Sequence, residues 1–155
     1  MPTDTQITGG TAPMMISEQE YQARPFTDLD YASLDEYVQF AIIKLAIKLG
    51  ENLSDYERKE LQQNAIVAAV GVKWNGDEGG RLFNTPGGLA FFAWVQIKAN
   101  YSIPFKKFEK QYTISDNFAA NIDETYRVYE KLNFLPKGED NEDSKDSDSE
   151  NTGKN

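Results

Sequence analysis

The stretch that most constrains this chain is 33–50, SLDEYVQFAIIKLAIKLG. Leu34, Tyr37, Val38, Ala41, Ile42, Leu45, Ala46 and Leu49 recur at the i, i+3, i+4, i+7 spacing of one face of an α-helix. Ser33 and Glu36 stand in the S-x-x-E relation of a capping box, and Gly50 is placed to end the helix in the left-handed conformation. Phe40, Ile43 and Ile47 add a second apolar strip, which leaves only Asp35, Glu36, Gln39, Lys44 and Lys48 polar. A surface helix of a small monomer needs one apolar face. A helix with nearly two is either the centre of its domain or gives one strip to another chain. Both readings stand at this point.

The flanking sequence is read from the same signals. Ser54 and Glu57 repeat the capping box, and Leu61, Ala65, Ala68 and Val72 then share a face. This predicts a second helix that ends near Trp74-Asn75-Gly76 and packs antiparallel to the first through its alanines. The segment 77–88, DEGGRLFNTPGG, holds four glycines and a proline and reads as a loop, flexible or projecting against a partner or into a ring lumen. It lacks the G-x-x-x-x-G-K-[ST] pattern of a phosphate cradle. Residues 89–101, LAFFAWVQIKANY, form a buried helix in preference to a strand. Pro104 precedes a short amphipathic helix in which Phe105, Phe108 and Tyr112 alternate with Lys106, Lys107 and Lys110. A last helix over 116–133 carries Phe118, Ile122, Tyr126, Tyr129 and Asn133 on one face, which Val128 and Leu132 widen, with Ser115 as its N-cap and Pro136 and Gly138 as its stop.

The fold expected is therefore all-α: a small bundle of about four to five helices. Residues 1–29 read as an extended arm with no packed element, with Met14, Met15 and Ile16 as anchors for a neighbouring subunit. Residues 30–136 form the helical domain. Residues 137–155 are acidic and of low complexity, a tail too poor in apolar side chains to order itself.

Composition excludes more than it assigns. The chain has no histidine and no cysteine. The commonest general base, the commonest transition-metal ligand and all thiolate chemistry are missing. No enzyme, metal or cofactor is expected. Asp140, Glu142, Asp143, Asp146 and Asp148 lack the order of a calcium loop. No apolar run is long enough to span a bilayer, and no secretory signal opens the chain. The net charge is −9, of which the tail supplies −4, so the body is only mildly acidic. The lysine cluster at 106, 107 and 110, with Lys98 and Arg81, reads either as a solvated face or as a phosphate contact.

Four local features combine into a resemblance. The first helix ends in Lys48-Leu49-Gly50, and the second in Trp74-Asn75-Gly76. A Gly/Pro-rich segment enters an aromatic-rich helix through Gly88-Leu89, and that helix runs out at Tyr101-Ser102-Ile103-Pro104. A further helix closes the body before a polar tail. This layout, over roughly residues 30–135, resembles the head-to-tail adaptor family of short-tailed phages, the tail accessory factor beneath the portal. The acidic tail and the N-terminal arm depart from that pattern. The resemblance implies a non-enzymatic virion protein at the head-tail junction, made in the host cytoplasm. Its copies would form a ring on the portal protein and extend the DNA channel. Its partners would be the portal, its own neighbours and other tail or ring proteins, with transient contact to packaged DNA and none to membrane. A ring needs heterologous contacts, with Phe40, Ile43 and Ile47 on one side. Lys106, Lys107 and Lys110 would face the channel. The alternative is a small acidic host-directed inhibitor or nucleic-acid mimic.

Overall fold

A computed structural model describes residues 10–134. The expectations for residues 1–9, the helix stop at Pro136 and Gly138, and the acidic tail lie outside the described residues. Within them the order is β1 (Ala12–Ile16), β2 (Gln19–Ala23), α1 (Asp28–Leu49), α2 (Asp55–Ala69), α3 (Asp77–Phe83), α4 (Pro86–Ile97), α5 (Phe105–Tyr112) and α6 (Phe118–Asn133). The chain is thus mostly helical. Six helices and a two-stranded antiparallel sheet replace the purely helical bundle of four or five.

The sheet is the largest departure from the sequence reading. Over Ala12–Ala23 the expected unpacked arm is a β-hairpin whose inner face belongs to the core. Ala12, Met14 and Ile16 alternate with outward Pro13 and Met15, and Tyr21 and Ala23 complete the buried side. The turn, Ser17-Glu18, holds both residues at positive φ, 49° and 69°. Asn-Gly is the usual occupant of such a turn. Here tertiary contacts hold it instead. The Ser17 N–H donates to Asn121 Oδ1 at 2.9 Å, and Ser17 Oγ donates to the Gln111 carbonyl at 2.6 Å. Asn121 Nδ2 in turn donates to Ser17 Oγ at 3.0 Å.

α1 starts earlier than its sequence signals say. The capping box is Thr27 and Asp30, not Ser33 and Glu36. The Ser33 hydroxyl donates back to the Leu29 carbonyl within the helix. Asp30 is buried and bridges Arg24, with Nη1 to Oδ2 at 2.8 Å. Burial alone would raise its pKa, but the guanidinium and the Thr27 amide outweigh it and hold the carboxyl below its ordinary value. Gly50 ends the helix at φ −86°, not in the left-handed region. A Cβ there would crowd the Ala46 carbonyl and the Arg58 stem of α2, so Gly50 serves close helix approach.

The expected glycine loop is also helical. α3 occupies its first half, and α4 starts at Pro86 behind a Thr85 cap that accepts from the Gly88 N–H. A Cβ on Gly79 would collide with the Lys73 carbonyl oxygen, and one on Gly88 with that of Phe83. These glycines permit tight packing and do not supply a projecting loop. α4 is buried through most of its length, as its composition predicts, and separates two halves of the core. One half joins the hairpin to α4, α5 and α6 around Met14, Ile16, Ala93, Ile97, Phe108, Tyr112 and Val128. The other joins α1, α3, α4 and α6 around Leu34, Val38, Phe83, Phe92 and Tyr129. Phe26, Tyr31 and Trp74 extend the second half as an aromatic cluster, with the Tyr31 and Tyr129 hydroxyls 3.0 Å apart.

α6 keeps most of its predicted face, with Val128 and Tyr129 buried and Phe118, Ile122 and Leu132 packed against the core, but adds polar residues to it. Its buried residues are Asn121, Thr125, Val128 and Tyr129, whereas Tyr126 is exposed. Asn117 precedes it without a side-chain cap, in place of Ser115. The buried polar pair is satisfied. Asn121 Nδ2 donates to the Tyr112 carbonyl at 2.8 Å, and the Thr125 and Tyr112 hydroxyls lie 2.7 Å apart. Burial lifts the Tyr112 phenol to about 12, so it stays neutral and can serve this network at any physiological pH.

Candidate interaction surface

α1 is 22 residues long, about 33 Å at the helical rise. Only its first half lies on the body. Asp30, Leu34 and Val38 are its buried residues there, and beyond them the one buried residue is Ala46. The second half, with the turn and α2, forms an αα-hairpin that overhangs the rest of the molecule. Its seam is made of small residues: Ala46 on α1, Ala65 and Ala69 on α2, and Gly50 at the turn. Polar groups tie the two ends. Gln39 Nε2 donates to the Val72 carbonyl at 3.1 Å, and Arg58 Nε donates to the Gly50 carbonyl at 3.2 Å. The Ser54–Glu57 capping box starts α2 as predicted, but the helix ends at Ala69, short of the expected Trp74.

Because the seam takes small residues, the large ones face solvent. Phe40, Leu45, Ile47 and Leu49 of α1, Leu53 of the turn, and Tyr56, Ile66, Val67 and Val70 of α2 are all exposed. Leu45 and Leu49 belong to the main apolar stripe of α1, which runs past the edge of the body with none of the described residues covering its end. Together these nine residues expose on the order of 900 Å², spread over more than one side of the hairpin, where the largest single patch on a typical monomer is roughly 300–600 Å².

The overhang has two apolar flanks. On α1 the helical spacing puts Gln39, Ala46 and Gly50 toward α2. Ser33, Tyr37, Phe40 and Lys44 lie roughly 100–160° away round the axis. With Glu36, Ala41 and Phe91 of α4, those four line an open groove of ≈ 490 Å³. The Tyr37 ring stacks on Phe91 at 4.6 Å between centroids, so the groove floor is aromatic. On α2, Tyr56, Val67 and Val70 point away from the alanine seam and are 75, 76 and 71% exposed. The two flanks thus lie on opposite sides of the same helical pair.

The structure divides the residues predicted to meet a neighbour. Phe40 and Ile47 are exposed, at 57 and 48%, and Ile43 is half-buried. Met14 and Ile16 are fully buried in the core, so they are not available to a partner, and Met15 alone of the three faces outward. The reason is the β alternation of the hairpin, which the run Met14-Met15-Ile16 conceals. The Met15 N–H donates to Glu124 at 2.9 Å. Arg127 beside Glu124, with that amide, outweighs burial and lowers the carboxyl's pKa.

Lys106, Lys107 and Lys110 are all exposed on the outer side of α5, opposite buried Phe108 and Tyr112. Lys107 borders a second groove of ≈ 440 Å³ with Tyr101, Ile103 and Gln111. Lys98 is drawn off toward the Trp94 ring, 5.3 Å from its centroid. Sequence reading missed the α2 flank, because Tyr56, Val67 and Val70 are spaced among Lys59, Glu60 and Gln63 and look like an ordinary solvent face. Among the described residues no group of three or more carboxylates converges as a metal site, and no helix is long and apolar enough to cross a membrane. No protein-family model, curated protein or solved structure matches this chain.

Proposed function

We propose that this chain is a non-enzymatic assembly subunit of the head-to-tail adaptor kind, which forms a ring on a portal and lengthens the DNA channel of a short-tailed phage. The observation that carries the reading is the overhanging α1–α2 hairpin, whose large apolar residues face outward while alanines fill its seam. A chain that folds alone has no use for so much uncovered apolar area, and a ring subunit needs it on every copy. The order of helices over residues 30–135 supports the adaptor form of that reading. The outward lysines of α5 are then the residues offered to the channel.

The test is direct. Purified protein mixed with the portal ring of the same virus should co-sediment with it and add a collar visible by electron microscopy. A chain that leaves the portal unchanged in both measurements overturns the adaptor reading. Replacing Lys106, Lys107 and Lys110 together by glutamate should leave the collar intact and alter DNA retention or passage, because these side chains contact nothing in the body's core.

A further inference from the structure

The two apolar flanks of the overhang face opposite ways, and this fixes the kind of contact they can make. In a two-fold dimer the same patch meets itself, so one flank is covered and the other stays in water. A head-to-tail contact joins one flank of each copy to the other flank of the next and leaves neither bare. We infer that the occupant of the α1 groove is the outer face of α2 from a second copy of this chain.

Three features fit that occupant. The groove is a shallow aromatic trough along a helix, lined by Tyr37, Phe40, Ala41 and Phe91, the form that accepts an amphipathic helix. The α2 face offers Tyr56, Val67 and Val70 along one stripe, spaced i, i+11 and i+14, with exposed Lys59 and Glu60 on its two sides. The groove rim carries one acid and one base as well, Glu36 and Lys44. Both surfaces are therefore near neutral, and an opposed register pairs unlike charges in a chain whose net charge is −9. One face from each copy brings on the order of 900 Å² to each contact, the size of a small, reversible interface below the roughly 1,200–2,000 Å² of stable ones. Head-to-tail contacts of this kind close into rings or extend as filaments. The inference deepens the assembly reading and rests on it, but needs no portal.

Two variants test it. Val67→Glu with Val70→Glu blocks the α2 face, and Phe40→Glu blocks the groove. All three positions are more than half exposed, so the helical circular dichroism and melting temperature should match the wild type. The wild type should sediment as species larger than a dimer. Each variant alone should be monomeric. The two variants mixed one to one should form a dimer and nothing larger, because each supplies the face the other lacks. A wild type that stays monomeric at its solubility limit overturns the inference. So do variants that assemble like the wild type, a single variant that still dimerises by itself, which is the two-fold outcome, and a mixture that remains monomeric. Wild-type assemblies that ignore a portal ring would overturn the adaptor reading while leaving this contact standing.

Discussion

The body and the overhang use similar residues in opposite ways. In the body, Phe92, Phe108, Tyr21 and Tyr112 are fully buried, and the polar groups that come with them are bonded through Gln111, Asn121 and Thr125. In the overhang Ala46, Ala65 and Ala69 are buried and most of the large residues lie outside. Two helices that meet through alanine come close and keep good backbone geometry, but they remove little apolar area from water. The body therefore holds itself together. The overhang relies on its caps, on its alanine seam and on intrinsic helix propensity. A region built that way is not poorly folded; most of its large apolar side chains simply stay uncovered by the body.

The largest effect that tests this contrast is at Phe92. Phe92→Ala should cost about 3–5 kcal/mol in urea unfolding, because the ring contacts Phe26, Phe83, Trp74 and Tyr129 and leaves a cavity among them. Val67→Ala on the overhang should change monomer stability by no more than about 0.5 kcal/mol. Comparable losses at both sites would break the division.

Next is the buried pair Arg24–Asp30, which locks the hairpin's exit to the start of α1. Asp30→Ala should cost about 1.5–3 kcal/mol at pH 7. The sign with pH follows from the lowered pKa. The carboxylate's contribution is complete above its unfolded value of about 4 and is lost as pH falls through the lower folded value. Glu124, also lowered, behaves the same way. Acid titration should therefore loosen the body at its hairpin, and the Asp30→Ala variant should show a shallower loss below pH 4. An unchanged acid limb would remove this pair from the account.

The smallest effect sharpens the picture at the tip. Ser54→Ala removes the α2 cap and should cost about 1 kcal/mol. Hydrogen exchange should register it in the first turns of α2 and not in α4, whose amides should be the better protected before any substitution. Loss of protection spread evenly over both helices would mean that overhang and body unfold as one unit.

Much of the helical frame was legible because it depends on local rules. The stripe from Leu34 to Leu49, the Ser54 capping box, the almost wholly apolar run of α4 and the split face of α5 each state a pattern or a cap within a few residues. The β-hairpin was not legible. Met14-Met15-Ile16 shows no alternation, and Ser17-Glu18 carries no turn signature, since its left-handed backbone is held by Gln111 and Asn121 about a hundred residues away. The buried face of α6 was read incompletely for a related reason: Asn121 and Thr125 are polar and look solvated until their partners are known. Of the candidate surface, Phe40 and Ile47 were readable as a second strip, while the α2 flank was not.

By itself the sequence determined where most of the helices run, that the first one carries two apolar strips, and that no histidine or thiol is present. Only the tertiary structure decided which of those apolar residues stay uncovered. Periodicity fixes the direction of a side chain relative to its own axis. Whether something lies in that direction depends on where the body ends, and here it ends halfway along α1.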